Sequence, residues 1–124
     1  MRARLFYNGK RKNYEGQPVL YIPKPVSDLF MLKQGSEMLI KIQDGKLILK
    51  RLRGEEEGGY KARVGIIARF ARDDLHYFGL RLKPQIAKEI ENTFGNCFDV
   101  HLEESDGEVL VVYTPVKKKP FSPS

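Results

Sequence analysis

Apolar and polar residues alternate along much of this chain, and the alternation gives way twice to a helical spacing. Met38, Ile40 and Ile42 alternate with polar neighbours, as do Phe98, Val100 and Leu102. That is the two-residue period of a strand with one buried face. Each run leads into Asp-Gly, at Asp44-Gly45 and Asp106-Gly107, a dipeptide that takes the positive φ of a tight hairpin at low cost. Leu47-Ile48-Leu49 and Val109–Tyr113 are the return strands. Upstream, the pattern predicts strands over Arg2–Tyr7 and Pro18–Ile22, and again over Arg63–Ala68 and Tyr77–Leu82. Val26, Leu29, Phe30 and Leu32 instead form the apolar face of a short helix, and Ile86, Ile90 and Phe94 keep i, i+4 spacing in a second. Pro25 suits the first turn, where its missing N–H costs nothing. Gly35 and Gly95 are expected just past the helices, in the left-handed conformation that ends them.

The same order of elements occurs twice. Ala3–Pro25 lies over Ala62–Pro84 without a gap at an offset of 59. Ala-Arg opens both stretches and Lys-Pro closes both; Leu5 meets Val64, Lys10 meets Arg69, Val19 meets Phe78 and Tyr21 meets Leu80. At an offset of 60, Val26 meets Ile86, Phe30 meets Ile90, Gly35 meets Gly95 and Met38 meets Phe98; at 62, Leu47 and Leu49 meet Val109 and Val111. A unit of about fifty residues with four short strands buries too little apolar surface to fold alone. The two units are therefore expected to interdigitate in one barrel, mainly β with two short helices and with approximate twofold symmetry. Repeat one covers 1–53, a Glu- and Gly-rich linker 54–60, repeat two 61–114, and a basic tail 115–124 is expected to be mobile.

Charge sharpens this picture by its location. The net charge is +6, but residues 1–24 hold six Lys/Arg against one Glu and residues 61–72 hold four with no acid, whereas 73–114 hold three bases and nine acids. Under the duplication, the two basic segments are the same part of the unit used twice. This is the charge distribution of a cationic face and points to a polyanionic partner. No apolar run reaches the ~20 residues of a membrane span, and the first residues lack the apolar core of a signal peptide. A cytoplasmic protein with no membrane partner is expected. The one cysteine, Cys97, excludes an intrachain disulfide and reads as a small buried side chain. His76 reads as a surface or strand residue, and most Phe and Tyr residues read as core.

The stretch "VLYIPKPVSDLFMLKQGSEMLIKIQDGKLILK" resembles the AbrB/MazE/SpoVT family of prokaryotic DNA-binding domains. It has a strand ending in Ile22-Pro23-Lys24, a short helix, Lys33-Gln34-Gly35 and an Asp-Gly hairpin tip. The resemblance spans 18–51; over 62–113 only Gly95, Asp-Gly and the apolar pattern remain. It implies a swapped-hairpin, or cradle-loop, barrel whose first strands and following loops meet DNA. The matching positions are Arg2, Arg4, Lys10, Arg11, Lys12 and Lys24 in unit one, and Arg63, Arg69, Arg72 and Lys83 in unit two. Ser27 and Ala87 stand where family members often carry Arg in the helix. Arg4 and Arg63, at equivalent strand positions, either face DNA or pair with acids such as Glu103 or Glu104.

Phosphate-binding glycine loops, dinucleotide fingerprints and metal-spaced His/Cys clusters are missing from the sequence, so no catalysis and no cofactor are expected. The reading is a nucleoid-associated protein that binds double-stranded DNA as an AbrB-like transcriptional regulator or small chromatin protein, alone or as a homodimer of barrels. A protein-interaction module and a small nucleotide-dependent enzyme on a related barrel are the alternatives. The Lys117–Lys119 run adds nonspecific affinity or solubility.

Overall fold

A computed structural model describes residues 1–52, 58–70 and 75–116, with the backbone alone at 68–70, 75 and 76. The acids Glu55–Glu57, Arg72 and the Lys117–Lys119 run lie outside the described residues. The elements are β1 (Arg2–Asn8), β2 (Gln17–Ile22), α1 (Lys24–Leu29), β3 (Glu37–Gln43), β4 (Lys46–Arg51), β5 (Tyr60–Phe70), β6 (Leu75–Arg81), α2 (Pro84–Phe94), β7 (Cys97–Ser105) and β8 (Glu108–Pro115). The strands close into an antiparallel barrel in the order β1-β2-β6-β5-β3-β4-β8-β7. β1 of the first unit pairs with β7 of the second, and β5 of the second with β3 of the first. Each unit thus lends its first hairpin to the other's second hairpin. Exchanging the units maps this order onto itself, with the seams β2–β6 and β4–β8 on the pseudo-twofold axis. The expected interlocked barrel of two repeats is what the chain forms.

The registers place the repeat more accurately than residue matching does. Ala3 lies opposite Phe98 as Ala62 lies opposite Met38. Leu5 lies opposite Leu20 as Val64 lies opposite Leu80. Leu20 therefore corresponds to Leu80 and Ile22 to Leu82, which corrects the ungapped match of Val19 to Phe78 and Tyr21 to Leu80. The extra residue is absorbed in β5, whose pairing with β6 shifts between Ile66 and Ala68. A one-residue slip moves every side chain of a strand to the other face. Leu20, Ile22, Phe78, Leu80 and Leu82 fill the interior, so Val19 and Tyr21 lie on the outer side of β2.

A second correction concerns the return strands. β7 and β8 share eight residue pairs where β3 and β4 share six, so the second hairpin is longer on both arms. Ile40 lies opposite Leu49, and Val100 opposite Tyr113. Leu47 and Leu49 hence correspond to Val111 and Tyr113, not to Val109 and Val111; all four are fully buried, whereas Val109 is only partly so. Ile42 and Leu102, expected in the core, stay 36% and 41% exposed because both hairpins run past the barrel wall there.

Eight strands leave an interior just wide enough for side chains to fill. Tyr113 is its largest fully buried group. Its ring meets Phe98 edge-on at 5.9 Å, and its hydroxyl donates to the Tyr21 carbonyl at 2.7 Å, so that buried donor is satisfied. Val26 of α1 and Phe30, its C-cap, and Ile86, Ala87 and Ile90 of α2 join the same core. Leu29 does not: it is 51% exposed, because a helix of six residues has only one face to turn inward.

The two helices end differently. Gly95 closes α2 at φ 83° with its N–H on the Glu91 carbonyl, as expected. After α1 the left-handed residue is Met31, at φ 50°, while Gly35 takes its positive φ in the next turn. Met31 N–H donates to the Asp28 carbonyl and Leu32 N–H to the Ser27 carbonyl. This is a Schellman closure with methionine where glycine is favoured. Arg51 donates to the Phe30 carbonyl at 2.7 Å and stacks on the Phe30 ring, satisfying a carbonyl that the helix end leaves free.

Candidate nucleic-acid interface

The β2–β6 seam makes β1, β2, β6 and β5 four adjacent strands of the barrel wall. Because Ala3, Leu5, Ala62 and Val64 point inward, Arg2, Arg4 and Phe6 of β1 and Lys61 and Arg63 of β5 point outward. Val19 lies opposite Arg81 and Arg63 opposite Arg81, which puts Arg81 on the same outer face. The pseudo-twofold axis passes through the Leu20–Leu80 pair and relates two grooves on this wall.

The second unit's groove, about 650 Å³, is bounded by Lys61, Arg63, Arg81, Lys83, Glu37 and Gln17 among others. Four cations meet one carboxylate there. Glu37 reaches Arg63 at 3.6 Å across exposed surface, an interaction that water screens strongly. The Arg81 guanidinium lies flat on β5: a Cβ at Gly65 would sit 2.4 Å from its Nε. Lys83 is the N-cap of α2, whose first turn carries no acid, so the positive end of the helix dipole adds to the same field. The turn before β3 is tied to this groove by hydrogen bonds from Gly35 N–H to the Val64 carbonyl and from Val64 N–H to the Ser36 carbonyl.

The first unit's groove, about 430 Å³, is lined by Arg2, Ala3, Arg4, Phe6 and Tyr21. Tyr21 occupies the place that Arg81 has in the other groove. Arg2 pairs with Asp99 at 2.8 Å. Arg4 lies opposite Cys97 where Arg63 lies opposite Glu37, and the next outward residue of that strand, Asp99, is held by Arg2. Of the two alternatives for these arginines, Arg63 does take an acid, but it is Glu37; Glu103 is engaged by His101 at 2.8 Å.

Lys10, Arg11 and Lys12 project in the β1–β2 loop, all exposed. The loop is folded: Arg11 and Tyr14 exchange both backbone hydrogen bonds, at 2.8 and 3.0 Å. Gly16 closes it at φ 97°, with backbone packed where a Cβ would stand (2.8 Å from the Asn8 carbonyl oxygen). At its foot, Gln17 donates to the Leu82 carbonyl at 2.8 Å, setting the loop beside Lys83 and the second unit's groove. On its other flank Tyr7, Lys10 and Glu15 meet Lys88 and Glu91 of α2. Partial burial and a hydrogen bond to Glu91 push the Tyr7 hydroxyl up to about 12.

The remaining expected residues divide. Lys24 forms an i, i+4 ion pair with Asp28 on α1, which holds it to its own helix. Lys83 and Arg63 sit in the cationic groove. Arg69 is placed only through its backbone, opposite His76 in β6. Sequence reasoning misses Lys61 and Arg81. Each shares the outward parity of Arg63 along or across the sheet; the slipped alignment of the repeats hides Arg81, and Lys61 lies ahead of the strand expected over Arg63–Ala68. Phe6 and Tyr21, read as core, are on the outer face. Cys97 is half-buried, with its thiol 3.5 Å from the Asn96 side-chain oxygen. Among the described residues no group of three or more His, Cys, Asp and Glu is arranged to hold a metal, and no helix is long and apolar enough to cross a membrane.

Comparison with protein-family models, with curated proteins and with solved structures finds no match to this chain.

Proposed function

We propose that this protein docks on double-stranded DNA through the Lys10–Lys12 loop and the adjoining groove of Lys61, Arg63, Arg81 and Lys83, and acts as a transcriptional regulator or small chromatin-associated protein. The observation that carries the reading is this convergence. The loop belongs to the first unit and the groove to the second, yet the Gln17–Leu82 hydrogen bond joins them. Seven cations then stand against Glu37 in the groove, Glu15 in the loop and Glu91 on the loop's α2 flank. Displacement of condensed counterions by such a cluster drives binding to duplex phosphates. The resemblance of residues 18–51 to AbrB/MazE/SpoVT domains supports the same reading, since that family implies interlocked hairpins and DNA binding by the first loops. The elongated β7–β8 tip, with Glu103, Glu104, Asp106 and Glu108, gives the molecule an acidic extension away from those cations, which orients its approach to a polyanion.

Mobility-shift titrations over a range of salt test this. The wild-type protein should bind a duplex with an affinity that falls steeply with salt. Changing Lys10, Arg11 and Lys12 together to Ala should flatten the slope of log K against log salt by about 0.9 for each phosphate no longer neutralised. A folded triple variant with unchanged affinity and slope removes the reading. Absence of any duplex binding at low salt puts the protein-interaction module ahead.

A further inference from the structure

We infer that the first unit's groove is a stacking site for an unpaired nucleobase, so that the protein also binds single-stranded nucleic acid, on a surface separate from the loop and groove proposed for duplex. Phe6 and Tyr21 are half-buried on the outer face of neighbouring strands and line one open groove with Arg2 and Arg4. Both rings stand on the solvent side of the barrel, over Leu5, Leu20 and Ile22; Tyr21 also packs against that core, and each ring keeps part of its surface open to the groove. The apolar floor continues sideways: methyl groups of Val19 and Ile67 occupy the position a side chain at Gly79 would take. Beside the rings stands Arg4, opposite Cys97 rather than an acid.

That combination selects its occupant. A wholly apolar partner would strip water from the Arg4 guanidinium without a counter-charge. An inorganic anion would leave both rings uncovered. A nucleotide satisfies both, with its base on an aromatic face and its phosphate on arginine, and base stacking of this kind needs no particular sequence. In a duplex the base faces are already stacked on one another, so only an unpaired base can enter. The second unit's groove cannot do the same, because Arg81 replaces Tyr21 there and lies flat on Gly65. The inference does not rest on duplex docking: the two activities use different side chains.

The test uses single-stranded oligonucleotides carrying 2-aminopurine, whose fluorescence is quenched by stacking, alongside a duplex of the same sequence. Wild-type protein should quench the single strand at saturation. Phe6→Leu and Tyr21→Leu keep apolar bulk but remove the π-face, and each should weaken single-strand binding by about fivefold or more and reduce quenching. Arg4→Gln should weaken it with a shallower salt slope, and serves if either leucine variant melts early. Loss of duplex binding in the Lys10–Lys12 variant with single-strand quenching retained would separate this site from the duplex proposal. Unquenched 2-aminopurine at saturation overturns the inference, as do leucine variants with wild-type single-strand affinity. A Phe6→Leu variant that leaves oligonucleotide binding intact but converts a dimer to a monomer in sedimentation also overturns it, by making the groove an interface between copies.

Discussion

The two grooves on the β1-β2-β6-β5 wall occupy equivalent places in the two units, yet they have different chemistry. One presents Lys61, Arg63, Arg81 and Lys83; the other presents Phe6 and Tyr21 beside Arg2 and Arg4. The inward residues beneath them correspond closely: Ala3 with Ala62, Leu5 with Val64, Leu20 with Leu80. The difference lies on the outer parity, where the barrel interior does not constrain the residue. The pseudo-symmetry of this barrel is therefore a property of its core, and its surface is free to carry two unlike sites. The same holds for the Glu37–Arg63 pair, whose counterpart across the axis is Cys97 beside Arg4.

The largest effects should test the shared core. Leu20 and Leu80 face each other on the axis and are both fully buried. Leu20→Ala and Leu80→Ala should each cost about 2–5 kcal/mol, measured by urea denaturation, with one cooperative transition in both. Two separated transitions, or a destabilisation confined to one half, would break the claim that the units share a fold. A smaller pair of changes addresses the wall. At Gly79 an added Cβ would stand 2.3 Å from Val19 Cγ1, so Gly79→Ala should destabilise by about 1–3 kcal/mol. At Gly65 it would meet the mobile end of Arg81, so Gly65→Ala should change stability by only about 0.5 kcal/mol or less and should weaken duplex binding in a mobility shift. Equal destabilisation at the two glycines would contradict the outward, flexible placement of Arg81.

The helix ends sharpen the comparison further. Met31→Gly should stabilise by about 1 kcal/mol by relieving a left-handed methionine, and Gly95→Ala should destabilise by about 1–2 kcal/mol, both read from denaturation midpoints. A last effect is confined to high pH. Tyr7 holds its proton more tightly folded than unfolded, up to about 12 against an ordinary value of 10.0. Its contribution to stability is complete below pH 10 and is lost as pH rises through about 12. Tyr7→Phe should make the fall in melting temperature over that interval shallower, and the absorbance rise at 295 nm near pH 12 should lose one tyrosine.

Much of the fold was legible because strand alternation and Asp-Gly turns are local signals. Asp44 and Asp106 take φ of 51° and 52° ahead of their glycines, as that dipeptide favours. The repeat was legible too, though its alignment slipped where β5 carries an extra residue, since nothing in the composition of Ile66-Ile67-Ala68 marks a bulge. That slip moved Tyr21 in phase with the interior and left Arg81 out of the candidate site. The charge segments pointed to Lys10, Arg11, Lys12 and Arg63, and the family resemblance added Lys83. They did not reveal that Lys24 would be held by Asp28 and Arg2 by Asp99, because those pairings depend on helix phase and on the partner strand.

By itself the sequence determined the element order, the duplication and the need for two units to share one core, since periodicity and turn chemistry act over a few residues and apolar area scales with length. Which strands pair, which residue stands on the axis, and that a first-unit loop adjoins a second-unit groove were decided only by tertiary structure. Barrel closure couples registers across the whole chain, and a single bulge resets the face on which the later side chains of its own strand emerge.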